Sequence, residues 1–136
     1  MSDSILNRIT TKPELAAQRR GDELEETEDL NAFGWLRGVR DRALMLELRF
    51  RDGNMVSLGY PWLEHAVFDA STGIVLQFGN RIVRIVGRNL NSDERPGIRL
   101  YAGIIRHRVP WIQESTFGED FLGEKRGVFI ESIYIQ

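Results

Sequence analysis

The chain has 136 residues, 42% of them apolar and 28% charged, which suits one ordinary domain with a single core and leaves little room for two. It contains no cysteine, so disulfides, thiolate metal ligation and thiol nucleophiles are excluded together. The first ten residues are polar, without the apolar stretch of a signal peptide, and no apolar run approaches membrane-spanning length. A soluble, cytoplasmic chain with no membrane partner is the default expectation.

The net charge of −2 hides an asymmetry. Residues 1–30 carry four basic and eight acidic side chains, whereas 80–110 carry seven arginines against Asp93 and Glu94 alone. Residues 111–136 return to acid, with two basic against five acidic side chains. A basic block between acidic neighbours has two readings: the acidic ends neutralise it, or it meets an external anion.

In chain order, residues 1–30 read as an acidic, mobile segment, with Pro13 suited to a first helical turn and Gly21 to a stop. Residues 31–136 are expected to form one globular domain. At its start Leu30, Phe33, Trp35, Leu36 and Val39 make a local apolar cluster, expected to pack on the body rather than dock another chain.

Leu44, Leu46, Leu48 and Phe50 then alternate with Met45, Glu47, Arg49 and Arg51, the period of a half-buried strand. Asp52-Gly53-Asn54 supplies residues that tolerate positive φ, and Val56, Leu58 and Tyr60 resume the alternation, so a hairpin is predicted. Pro61 lacks an amide hydrogen and predicts a corner over 60–63 before a strand at 64–68, with Trp62 covering one end of the core. A second hairpin is expected from 74–78 and 81–86 around Gly79-Asn80. Along its return strand Val83 and Ile85 share one face while Ile82, Arg84 and Val86 share the other, which suggests burial on both sides except at Arg84.

Past Gly87 the periodicity lapses, and Ile98, Tyr101, Ala102 and Ile105 then recur at helical spacing, widened by Leu100 and Ile104. Pro96 marks the predicted helix start and Pro110 its firm end. Asp93 and Glu94 would lie near the amino end and Arg106, His107 and Arg108 near the carboxyl end, matching the macrodipole. Arg95, Arg99 and Arg106 would face solvent. Residues 113–127 read as a long glycine-containing loop anchored by Phe117, Phe121 and Leu122, and 128–135 as a closing strand.

Little chemistry is specified. His65 and His107 are the only imidazoles, and neither lies in a metal or triad motif; a partly buried structural role is expected for His65. No phosphate-cradling glycine loop or nucleophile elbow exists. The carboxylates lie mostly in the acidic segment and in 114–124, where solvation is the ordinary explanation. Catalysis is thus disfavoured, and no cofactor or metal is implied. The strongest remaining signal is Arg88, Arg95, Arg99, Arg106, His107 and Arg108 with Trp111: arginine forks bind phosphate and carboxylate, and an exposed ring can stack on a base.

Within 44–89, Arg51-Asp52-Gly53-Asn54 after a strand, Phe68-Asp69 later, and Val86-Gly87-Arg88-Asn89 after another strand resemble Sm-like RNA-binding proteins over about a third of the chain. Ser71, Thr72 and Gly73 stand where that family carries an RNA-contacting asparagine, and the helix and last strand have no counterpart. The resemblance keeps RNA among the alternatives without placing the chain in the family. The fold expected is α+β: a mainly antiparallel bent sheet or partial barrel built from hairpins, one helix packed across it, and a C-terminal strand. The function expected is a non-enzymatic protein-binding or assembly module, self-association included, with anion or nucleic-acid binding through the arginines as the alternative. Pairing at the edge of 128–135 is one expected route to a homo-oligomer.

Overall fold

A computed structural model describes residues 27–38, 40–116 and 127–136. The readings placed on Pro13, Gly21, Val39, Phe117, Phe121 and Leu122 lie outside the described residues. Most of the described chain is strand, arranged in several sheets that do not close into a barrel, with one short α-helix.

The first two strands, β1 (Thr27–Asp29) and β2 (Gly34–Leu36), form an antiparallel hairpin. Its turn places Asn31 at φ 76°, a left-handed conformation that asparagine tolerates, and the Asp29 carboxylate accepts the Asn31 amide at 2.8 Å. The acidic segment read from the sequence therefore contributes Thr27–Asp29 to the folded body. Leu30, Phe33 and Trp35 are buried as expected, with Leu36 half-buried.

The predicted hairpin of β3 (Met45–Arg49) and β4 (Met55–Gly59) is present, with Leu46 opposite Leu58 and Leu48 opposite Val56. Leu46 and Leu48 are fully buried, as their alternation required. Unforeseen was β10 (Trp111–Gln113), which pairs parallel with β3 to give the order β10-β3-β4. Three residues carry too little periodicity to announce a strand.

The chain turns through a 3-10 segment, Tyr60–Trp62, with Pro61 at its start, into β5 (Leu63–Asp69). β6 (Gly73–Phe78) and β7 (Arg81–Arg88) follow around the Gly79-Asn80 loop, Gly79 taking φ 63°. The last strand, β11 (Phe129–Ile135), pairs with β7, completing the antiparallel order β11-β7-β6-β5. Ile74, Leu76, Val83, Ile85, Ile130 and Ile133 point into the core. On the opposite face Arg84, the expected exception to burial, is exposed, while Ile82 and Val86 are only half-covered rather than buried. One face of an antiparallel sheet suffices for its packing.

The helix is shorter than its apolar spacing predicted. Asp93 and Glu94 belong to β8 (Asp93–Arg95), which pairs with β9 (Ile98–Arg99) across Pro96-Gly97, where Gly97 takes φ 80°. Turn chemistry overrode the helical period. The helix α1 spans Leu100–Ile105, buries Leu100 and Ile104, and ends well before Pro110. Its stop is local: the amide of His107 donates to Ile104 O and that of Arg108 to Gly103 O, with His107 at φ 60°. This is the double bond pattern that closes a helix through a left-handed residue, here histidine rather than glycine.

Candidate functional site

The arginine block does not form one helical face. Arg88 ends β7 with its guanidinium over the Phe129 ring. Arg95 lies in β8 and ion-pairs with Glu28, and Arg99 in β9 pairs with Asp93 at 2.6 Å. Arg108 donates to Leu36 O and stands over Trp35. Arg106, at the helix end, is exposed and makes no ion pair among the described residues. Trp111 is half-buried beneath the Arg49 guanidinium, 4.3 Å from its ring centre.

The histidines separate. His65 is exposed on β5, not partly buried as expected, because its side chain falls on the outer face of the sheet. His107 stacks on Tyr60 with ring centres 4.4 Å apart, and the Tyr60 hydroxyl donates to Val109 O at 2.7 Å. Burial, and then the charge of Arg42, hold the His107 imidazole below its ordinary pKa. Burial likewise pushes the Tyr60 phenol well up. Among the described residues no group of three or more histidines and carboxylates is placed to hold a metal, and no helix is long and apolar enough to cross a membrane.

A cleft of about 480 Å³ lies at one end of the four-stranded sheet, between the β5–β6 turn and the chain leaving β7. It brings Asp69, Ser71 and Thr72 opposite Arg88 and Asn89. The Asp69 carboxylate is engaged internally: it accepts from Ser71 Oγ at 2.6 Å and from the Ser71 and Thr72 amides, which lowers its pKa.

Sheet edges differ sharply. At β10 the Gln113 amide donates to Ala32 O, and Phe33 bridges Ile112. At β11 the Ser115 amide donates to Ile130 O, the Ile133 amide donates to Glu114 Oε2, and the Arg51 guanidinium donates to Glu131 O. The edge expected to be open for pairing is thus capped along part of its length by the chain itself. β5 carries Glu64, His65 and Asp69, and the Tyr101 hydroxyl donates to Ala66 O. Charges and caps are the ordinary protection of an edge.

β4 has neither. Its sequence, Met-Val-Ser-Leu-Gly, is uncharged. Hydrogen bonds from Phe50 N to Asn54 O and from Tyr60 N to Leu44 O fix the phase of the β3–β4 ladder. Met55, Ser57 and Gly59 fall in its non-hydrogen-bonded pairs, so their amides and carbonyls point away from β3. No hydrogen bond reaches them from another described residue. Met45 is 47% exposed, Met55 58% and Trp62 65%. Trp62 was expected to cover the core, but its indole instead lies outside against Gly59, beside the Met45 sulfur. Leu44, immediately before β3, is also exposed.

Sequence reasoning missed this edge because β4 looks like any alternating strand; its lack of charge was legible, but its lack of a neighbour was not. It also missed Glu114, assigned to solvent yet buried, with Oε1 accepting the Arg51 amide and Oε2 the Ile133 amide, each at 2.8 Å. Compared with known protein families, curated proteins and solved structures, the chain matches none.

Proposed function

We propose that this chain is a non-enzymatic protein-binding or assembly module whose contact surface is the open edge of β4 with Met45, Met55 and Trp62 beside it. The observation that carries the reading is the contrast among the four edges of the two larger sheets: β10, β11 and β5 are capped or charged, and β4 is neither. An uncharged, unpaired strand beside exposed aromatic and thioether side chains is a template for strand addition, in which main-chain bonds give affinity and flanking side chains give specificity. We read the two larger sheets as a partial barrel, because Glu114 and Ser115 tie the β10 side to β11, and in that reading β4 is a free edge.

The alternative, anion or nucleic-acid binding through Arg88, Arg95, Arg99, Arg106, His107, Arg108 and Trp111, has less behind it. Arg95 and Arg99 are committed to Glu28 and Asp93, and Trp111 to Arg49. Those pairs reduce the field that an external phosphate would meet.

The test is site-specific photo-crosslinking in cells expressing the chain, with the crosslinker at Met55 or, as control, at exposed Asn80 in the β6–β7 loop. A discrete protein adduct at position 55, absent at 80 and lost when Ser57→Pro is added, is the expected result. Equal labelling at both positions, or RNA as the only adduct, would overturn the reading.

A further inference from the structure

We infer that the occupant of the β4 edge is a second copy of this chain, added antiparallel across a two-fold axis through Ser57. This rests on the edge reading above and gives it a partner and a register. The outward-facing residues of β4 are Met55, Ser57 and Gly59, spaced evenly about Ser57. An antiparallel copy centred there pairs Ser57 with itself and Met55 with Gly59 of the other copy, twice. That register exchanges about six backbone hydrogen bonds.

The side chains agree with the register. Met55 would stand opposite a glycine, and the surface beside that glycine is the Trp62 indole and the Met45 thioether. A long flexible side chain would therefore lie against the indole and thioether that already cover the glycine, a contact that sulfur and indole both favour. No like charges meet along the axis, because β4 carries none and the nearest charges on its own sheet, Glu47 and Arg49, pair with each other at 2.7 Å. Slipping by two residues would set Met55 against Ser57 and carry Gly59 past the end of the opposing strand, giving up its backbone pairing.

Area sets the expected strength. Met45, Met55 and Trp62 together expose on the order of 400 Å² per copy, and the paired backbone with Leu44 and Pro61 brings the total for both copies to about 1,200 Å². That is the low end for a specific interface, so a dimer that dissociates on dilution through the micromolar range is expected rather than an obligate one.

The experiment uses the purified full chain. Its mass by light scattering and sedimentation should rise from 15.7 kDa towards twice that value as concentration increases through the micromolar range. Ser57→Pro removes an amide that points away from β3, so it should shift the midpoint at least tenfold while sparing the intrachain ladder; Ser57→Lys, on the exposed outer face, should do the same without a backbone change. Because the chain has no cysteine, Ser57→Cys gives an orthogonal reading. Opposed residues of this pair type sit about 5.5 Å apart between Cα atoms, within disulfide range. Oxidation should give a covalent dimer at least ten times faster than with Asn80→Cys.

A chain that stays monomeric at high concentration, a dimer indifferent to both Ser57 substitutions, or equal oxidation of the two cysteine variants would overturn the second-copy inference. If the chain is monomeric but position 55 crosslinks to a different protein in cells, the edge reading stands and this inference fails. If position 55 gives no specific adduct, both fail.

Discussion

The carboxylate of Glu114 accepts the amide of Ile133 at 2.8 Å, and through its other oxygen it holds the amide of Arg51 at the same distance. Arg51 reciprocates with its side chain, donating to Ser115 O and Glu131 O. One acid and one arginine thereby join the three-stranded sheet to the edge of the four-stranded one. A carboxylate can accept both amides, whereas the amide of glutamine offers one acceptor and turns donors towards the other. Glu114→Gln is therefore expected to cost about 2 kcal/mol, and Glu114→Ala more, since it strands the buried amide of Ile133 and the part-buried amide of Arg51. Urea unfolding midpoints check this; an unchanged midpoint for both variants would remove Glu114 from the account.

What was legible in the sequence was what is local. Alternation and turn chemistry sufficed for β3–β4 and β6–β7, because each strand's partner lies within one tight turn. The parallel pairing of Trp111 with Glu47 was not legible, since a three-residue strand has no period and its partner is distant in sequence. The burial of Glu114 follows from that pairing and was lost with it. The arginine block misled for a related reason: charge along the chain says nothing of spatial pairing, and the bond between Arg95 and Glu28 joins segments from opposite ends of the charge profile. For α1, residues 98–105 have helical spacing, but Pro96-Gly97 form a hairpin turn that uses Ile98 and Arg99 as a strand.

His107 makes stability depend on pH in a direction fixed by its lowered pKa. Its burial against Tyr60 and the nearby Arg42 disfavour the imidazolium in the folded state, while the unfolded chain protonates near the ordinary value of about 6.5. The unfolded state then binds the proton more readily, so the contribution is complete above about pH 6.5 and is lost as pH falls through the folded value. Unfolding midpoints measured from pH 8 down to 5 should fall. His107→Asn tolerates the left-handed φ and cannot protonate, so it should flatten that part of the profile; an identical slope in the variant would assign it elsewhere.

Two glycine substitutions separate steric from conformational cost. In most helices Gly→Ala stabilises by about 1 kcal/mol. Gly103 in α1 lies against the Trp35 ring and the Val109 side chain, where a Cβ has no room, so Gly103→Ala should instead destabilise by about 1–3 kcal/mol. Gly79 faces open space but takes φ 63°, and Gly79→Ala should cost only about 1 kcal/mol, from backbone strain. If Gly103→Ala stabilises, the close packing of α1 on β2 is refuted.

Trp62 and Trp35 provide a contrast between contact and folding. Trp35 is 7% exposed within the core, and Trp35→Ala is expected to cost about 3–5 kcal/mol. Trp62 lies outside the core, resting on Gly59. Its removal forfeits little apolar burial, so Trp62→Ser should change folding stability of the dilute chain by less than about 1 kcal/mol. An exposed tryptophan that contributes so little to its own fold is a candidate for contact with something else, and the same substitution should weaken association at β4. Thermal unfolding at low concentration, run beside a dilution series, separates the two effects. A Trp62→Ser chain as destabilised as Trp35→Ala would place the ring in the fold's own packing and remove it from the contact surface.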